Sequence, residues 1–339
     1  MKTLITLFVG GCLSFGSVLA QQEASSPVAD GSYADLGRGL NLGNYLENPH
    51  PGDWKIKFAS NDYVRIHQAG FTNIRMPLNW SAHTLAGSDY TIDPAYFQKV
   101  DENVEEARAA GLKIIIDDHN DREMMSNPDA TMPRFLAIWK QVAEHYQGQP
   151  SIVLFELLNE PIEKMDAAHY NDLLAKTLPI VRASNPDRTI IVGGAWSYSD
   201  KALDALVLPE SDHHLLVTFH YYNPLKFTHQ GAAFVPGAQA WLGTTWTGTE
   251  AEKKDVTDTF DRVSAWATAH QRPIYLGEFG TYLKGPMDSR AAWTAFVART
   301  AEAHNFSWSY YDYASGFGVC DAASKEWIPP LFNALIPKP

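Results

Sequence analysis

The chain has 339 residues, 45% hydrophobic and 19% charged, so it can bury a large core as one big domain or two ordinary ones. Its formal net charge of −12 excludes a nucleic-acid partner, whose phosphates require a basic patch, and no block of like charges forms a tail. Ten tryptophans and fifteen tyrosines suit either core filling or a surface that stacks on flat ligands.

Residues 1–20, MKTLITLFVGGCLSFGSVLA, set Lys2 ahead of an apolar stretch and end on Val18-Leu19-Ala20 at the cleavage offsets. That is the pattern of a secretory signal peptide, too short and wrongly flanked for a membrane span. Lipoprotein anchoring at Cys12 is the weaker reading, because apolar residues follow the cysteine. The expectation is a secreted protein, extracellular or periplasmic, with no membrane contact after cleavage. Its one remaining thiol, Cys320, would leave no internal disulfide. Residues 21–35 read as a flexible lead-in, and 36–339 as a single domain without linkers.

Within that domain short apolar runs alternate with longer amphipathic stretches, the rhythm of βα units. The candidate strands are 38–43, 72–78, 113–119, 152–160, 189–194, 215–222, 273–280 and 306–313. Helical patterns lie between them, as in 93–111, which stops at Gly111, and 131–148. Eight such units predict an α/β fold, a (β/α)8 TIM barrel. A doubly wound open sheet would need G-x-G-x-x-G after its first strand, and "GRGLNLG" has the wrong spacing.

Barrel enzymes take their working side chains from the C-terminal strand ends. The polar residues there are Arg75, His119, Asn159-Glu160, His220, Tyr222, Glu278, and Tyr311-Asp312. A lone histidine is more often a satisfied core group, but this many polar groups on one rim point to a site. Glu160 and Glu278, facing each other across the mouth, suit a glycosidase with one protonated and one ionised carboxyl. Arg75 is suited to keep one ionised, and His220 to share a proton with the other. Metal chemistry lacks H-E-x-x-H or a Cys/His cluster, and a serine hydrolase lacks G-x-S-x-G. His213-His214 precedes a strand and reads as solvated, and the sequons at Asn79 and Asn305 read as chance.

"LFELLNEP" (154–161) holds a second glutamate. If 152–160 is all strand, Glu156 shares a face with Glu160 and lies roughly 13 Å deeper, at about 3.3 Å per residue. No substrate reaches that depth, so Glu156 is expected to be a structural carboxylate with a buried partner.

"LLNEP" with the downstream "LGEFG" resembles glycoside hydrolase family 5, the cellulase family. "GLNLGNYLENP", "IRMPLNWSAHT", "FHYYNPLKFTHQGA" and "SGFGVCD" are similar to a bacterial endoglucanase subgroup with mixed glucan and mannan activity. The resemblance covers nearly the whole mature chain. It implies double displacement with retention, Glu278 as nucleophile and Glu160 as acid and then base. Asn159 would hold the sugar 2-hydroxyl, Arg75 and Tyr222 would orient Glu278, and His220 would support Glu160. His119 would touch the sugar at the cleavage position. Asn44, Glu47, His83, Asn120, His229 and Tyr311 would line the cleft, with no metal and no cofactor.

Three positions depart from the family pattern. Tyr311 stands where a tryptophan usually floors the cleavage subsite, and Trp308 lies on the opposite strand face. Asn120 replaces the second histidine of a His-His pair, and Phe234 stands where a tryptophan is expected. The leading expectation is a monomeric, secreted endo-β-1,4-glucanase whose partner is a β-1,4-linked polysaccharide or oligosaccharide. A β-mannanase, a dual enzyme, a transglycosylase and a non-catalytic polysaccharide-binding barrel are the alternatives. With no separate carbohydrate-binding module in view, soluble glucans should be better substrates than crystalline cellulose. Trp241 and Trp246 are read equally as a sugar platform or as loop anchors.

Overall fold

Eight parallel strands close into a barrel in chain order. They are β1 (Arg38–Asn41), β2 (Asn73–Leu78), β3 (Lys113–Asp118), β4 (Val153–Glu156), β5 (Ile190–Gly193), β6 (Leu215–Tyr221), β7 (Ile274–Phe279) and β8 (Ser307–Tyr310). The computed structural model describes residues 35–338 apart from 50–55, 57, 88 and 120. Cys12, the leader and Asn120 therefore lie outside the described residues, as does the lead-in up to residue 34. The (β/α)8 barrel expected from the sequence is the observed fold.

Among the described residues ten helices accompany the strands: α1 (Ser60–Gln68), α2 (Pro94–Ala109), α3 (Arg122–Ser126), α4 (Pro128–His145) and α5 (Ala167–Ser184), then α6 (Ala195–Tyr198), α7 (Leu225–Thr228), α8 (Glu250–His270), α9 (Met287–Ala303) and α10 (Pro329–Leu335). In α2 the Asp93 side chain caps Ala95 N–H and Pro94 opens the first turn. Its buried Tyr96, Val100, Val104 and Ala107 recur at three and four, and Gly111 beyond its end sits at φ +87°. Helix α4 starts three residues before the expected 131, because Pro128 is already a favourable first helical residue.

Alternation along the strands divides the apolar side chains into two cores. One lies between barrel and helices and includes Ile114, Ile116, Val153, Phe155, Trp139 and Trp308. The other is a small cluster inside the barrel: Leu36, Ile115, Leu154, Ile191, Leu216 and Tyr275. Two residues further along each strand come Asp117, Glu156, Gly193, Thr218 and Gly277. The barrel thus has an apolar floor with a polar layer above it, on the side where the strands end.

The apolar runs overstate the strands, all of which except β2 are shorter at their C-terminal ends. The largest difference is β4, which stops at Glu156 rather than residue 160. Its ladder ends with Asp117 opposite Glu156 on one side and Glu156 opposite Ile191 on the other. Beyond it the chain turns away, and Glu160 takes the left-handed backbone at φ 43°. Arg75 does not close β2 but sits in its middle. Trp246 is buried and packs on Phe296 of α9 at 5.8 Å, so it anchors its loop. Asn79 is buried, with its side-chain oxygen accepting from Ala82 N–H, which leaves no room for a glycan.

A β-bulge separates β6 from β7. Phe219 pairs with Leu276, but His220 pairs with Glu278, so Gly277 is an extra residue. Without it, strict alternation would turn Glu278 out toward the helices beside Leu276. The bulge turns Glu278 inward and sends Phe279 out against Trp308, 5.5 Å away. Only glycine fits there: a Cβ would meet Thr218 Oγ1 at 2.6 Å and His220 Nε2 at 2.8 Å.

Candidate active site

Arg75, fully buried in the barrel interior, organises the polar layer. Its Nε and Nη2 donate to Glu156 at 2.7 and 2.8 Å, and Nη1 donates to Glu278 at 2.6 Å and to Asn41 at 2.9 Å. Nη2 also donates to Asn159 Oδ1 at 2.7 Å and lies 2.9 Å from Asp117 Oδ2. One guanidinium therefore faces three buried carboxyl groups. That arrangement corrects the depth expected for Glu156. The 13 Å estimate assumed an unbroken strand, whereas Glu156 shares a cation with Glu278. The expected buried partner is Arg75.

Glu278 is held from a second direction by Tyr222, whose hydroxyl donates to Oε2 at 2.8 Å. His220 Nδ1 lies 2.7 Å from Glu160 Oε1 and 3.7 Å from Glu278 Oε2. Donor atoms of Glu160, His220 and Glu278 fall within 4.8 Å of one another. That spacing could also hold a cation, and no motif spacing in the sequence discloses it. The Glu160 side chain keeps 29% of its surface exposed, while Glu278 keeps 7%.

Desolvation raises the Glu160 carboxyl to about 7, against the pull of the His119 and Arg75 charges. Burial pushes His220 down to about 3, so its ring is neutral near neutral pH. Burial also pulls on His119, but the Asp117 charge and hydrogen bond overcome it and hold that ring at about 9. His119 Nδ1 lies 2.6 Å from Asp117 Oδ2. For Glu156, burial raises the carboxyl and Arg75 opposes it.

The remaining residues singled out from the sequence form two groups around this centre. Tyr311 and His229 join an aromatic wall. Tyr311 packs on Phe317 at 5.8 Å, and His229 packs on Phe317 at 5.2 Å and on Tyr222 at 5.0 Å. Phe234, 65% exposed, extends the wall to Tyr282. Trp308 points away, donating from Nε1 to Glu302 of α9 at 3.2 Å, so it is no substitute for Tyr311.

Asn44, Glu47 and His83 shape the loops beside the mouth rather than meeting the carboxyl pair. The Glu47 carboxylate accepts from the backbone N–H groups of Asn44 and, at 2.8 Å, Tyr45. Asn44 donates from its side chain to Ser315 at 3.0 Å. His83 stacks on Tyr96 at 3.8 Å and bonds Asn48 O at 3.1 Å.

Two features of the site escaped the sequence reading. Asp117 lay inside the apolar run of β3 and passed as strand. Trp196 lay in a short stretch just beyond the C-terminal end of β5 and passed as loop, yet it is 57% exposed. Three successive residues, Trp196, Ser197 and Tyr198, adopt positive φ of 58°, 57° and 54°. Ser197 N–H donates to Pro161 O at 3.1 Å, tying this turn to the residue after Glu160. A strained turn bonded beside a mouth carboxyl is a signal of function that only coordinates reveal.

The comparisons agree with this geometry. The model of the cellulase family, glycosyl hydrolase family 5, matches residues 43–316. Endoglucanase H of Acetivibrio thermocellus is 33% identical over 277 residues, which are 82% of this chain and 29% of that protein. Cellulase/esterase CelE of the same organism is 27% identical, the match covering 88% of this chain and 39% of that protein. The chain thus spans well under half the length of these two relatives. Among solved structures, Thermotoga maritima Cel5A in complex with mannotriose is 40% identical with a TM-score of 0.87, covering 89% of this chain and 98% of that one. A second Cel5A structure, in complex with cellobiose, is 40% identical with a TM-score of 0.86, covering 88% of this chain and 97% of that one. With one family model spanning most of a barrel that brings two glutamates together at its mouth, the chain belongs to glycoside hydrolase family 5.

Proposed function

We propose that the protein is a retaining endo-β-1,4-glucanase in which Glu278 is the nucleophile and Glu160 the acid and then the base. The observation that carries this reading is the close approach of Glu160 and Glu278 around His220, with donor atoms within 4.8 Å. Retaining pairs stand about 5–5.5 Å apart, whereas inverting pairs need roughly 6.5–9.5 Å to admit a water between them.

In the first step Glu278 forms a bond to the anomeric carbon as the glycosidic C–O bond breaks. Glu160 gives its proton to the departing oxygen and becomes a carboxylate. In the second step that carboxylate takes a proton from water, and the water oxygen displaces Glu278 from the anomeric carbon. Arg75 and Tyr222 aim the nucleophile, and neutral His220 shares a hydrogen bond with Glu160 in both steps. With its Oδ1 accepting from Arg75, Asn159 would turn its side-chain NH2 group to donate to the sugar 2-hydroxyl.

Glucan and mannan backbones differ at that 2-hydroxyl, and the mannotriose and cellobiose complexes of the similar Cel5A favour a dual reading. Tyr311 in place of a broader floor bears on the same choice. Transfer to a second sugar is open to the same covalent intermediate. The 20-residue leader supports export of the mature chain from Gln21, which N-terminal sequencing of the secreted protein would test.

The primary test is reducing-sugar release from carboxymethylcellulose, mixed-linkage β-glucan, glucomannan and mannan, with Glu278→Gln alongside. Glucan activity lost in the variant supports the reading. Equal inertness of both proteins on every polymer would overturn it in favour of a binding role.

A further inference from the structure

Asp117 stands at the junction of two cations. Its side chain is fully buried, and its Oδ2 lies 2.9 Å from Arg75 Nη2 and 2.6 Å from His119 Nδ1. Asp117 and His119 lie two residues apart at the end of β3, so both side chains lean into the barrel mouth. The acid is out of substrate's reach, whereas His119 keeps 12% of its side chain exposed. A carboxylate oxygen only accepts here, so the Nδ1 facing it must carry a proton. The second ring nitrogen, Nε2, has no partner among the described residues.

We propose that Asp117 is a positioning residue: it locks His119 as a doubly protonated ring that presents Nε2–H to the sugar at the cleavage point. The same oxygen ties that ring to Arg75, and through it to the nucleophile, so one carboxylate sets both the protonation and the orientation of His119. The local field agrees. Against the pull of burial, Asp117 raises His119, as does Glu278 of β7, while Arg75 of β2 lowers it. Glu47 from the loop after β1, Glu160 after β4 and His220 of β6 also interact electrostatically with this ring. A charged donor differs from a neutral histidine, whose Nε2 would accept from a sugar hydroxyl. The consequence is a fixed preference for a sugar oxygen that accepts at this point.

The inference rests on the glucanase reading only for what meets Nε2, and a titration separates the two. The full-length chain, isotope-labelled in histidine, would be followed by proton–nitrogen spectra across neutral and alkaline pH, with His119→Gln identifying the His119 signals by their loss. His119 should remain an imidazolium until about pH 9 in the wild type. In Asp117→Asn it should titrate at or below about 6.5, its ordinary value. A wild-type midpoint at or below that ordinary value overturns the proposal even if the variant fails to fold, as does an unchanged midpoint in a folded variant.

The kinetic arm asks whether Asp117 acts through His119. Asp117→Asn should lower kcat/KM on soluble β-glucan roughly 10- to 100-fold. Adding it to His119→Gln should cost no more than about twofold further. Fully additive losses would mean that Asp117 works through Arg75 alone, and would overturn the proposal. If the titration behaves as expected while every β-1,4-glycan stays intact, Asp117 keeps its role and the glucanase reading fails.

Discussion

Gly277 stands directly behind His220: a methyl group on its Cα would lie 2.8 Å from the His220 Nε2 atom. The extra residue in β7 and the imidazole of β6 therefore share one packed volume. The group that meets Glu160 and the bulge that aims Glu278 are set by the same contact.

Gly277→Ala is expected to disturb both carboxyl groups at once. The added carbon also meets Thr218 Oγ1 at 2.6 Å, inside the closed barrel. Overpacking of this kind costs about 1–3 kcal/mol of stability. Thermal unfolding would measure that loss, and kcat/KM of the folded variant should fall by more than the unfolded fraction explains.

Activity should be lost as pH rises through the range where Glu160 gives up its proton. Its folded value lies near 7, raised by desolvation, and the first step needs the protonated form. The alkaline limb of kcat/KM is therefore expected near pH 7 rather than near the ordinary carboxyl value of about 4.3. A pH profile on soluble β-glucan checks this. In Glu160→Gln, activity should drop roughly 10²- to 10⁴-fold and lose that limb. Aryl glycosides whose leaving group needs no proton should suffer far less in the first step.

Arg75→Met should destabilise the protein by about 3–5 kcal/mol, because it strands Asp117, Glu156 and Glu278 in the interior without their cation. Adding Glu156→Gln removes one of the stranded charges, so the double variant should be more stable than Arg75→Met alone. Denaturant unfolding curves of the two variants decide it, and a double variant weaker than the single would contradict the arrangement.

Trp196→Ala should leave stability within about 0.5 kcal/mol, as expected for an exposed side chain. Its turn is bonded to Pro161, next to the proposed proton donor, and the indole is expected to stack on the departing sugar. Loss of one stacking platform, at about 0.5–1.5 kcal/mol, corresponds to a roughly 2- to 12-fold rise in KM for oligosaccharides. Transfer to added sugar acceptors should weaken in parallel, which product analysis would show.

Much of this was legible in the sequence because barrels carry their logic in short periods. Eight apolar runs separated by amphipathic stretches give the strand count, and polar residues at their ends mark the mouth. Glu160, Glu278, His220 and Tyr222 were visible in that way, Arg75 was singled out although it sits in mid-strand, and the structure brings all five together. What stayed hidden depends on where regular geometry breaks. Counting by twos along "IVLFELLNE" assumed a strand running to Glu160, whereas β4 ends at Glu156, and so set Glu156 too deep. The same counting along "PIYLGEFG" would have turned Glu278 outward, because a bulge has no signature beyond a glycine. Asp117 was masked by the isoleucines before it, and its importance lies in partners from other strands. Glu47 and His83 are held by backbone partners in their loops, and Glu47 also interacts electrostatically with His119, a link no spacing in the sequence discloses.

The sharing of Arg75 between floor and mouth also bears on how this enzyme can be improved. Its six short polar contacts connect β1, β2, β3, β4 and β7, so a change to the reactive centre is also a change to what fills the barrel. Selection for robustness in that layer would trade directly against turnover. The solvent faces of α8 and α9 carry no such coupling, and heat tolerance is better sought there, where substitutions leave the guanidinium and its carboxylates untouched.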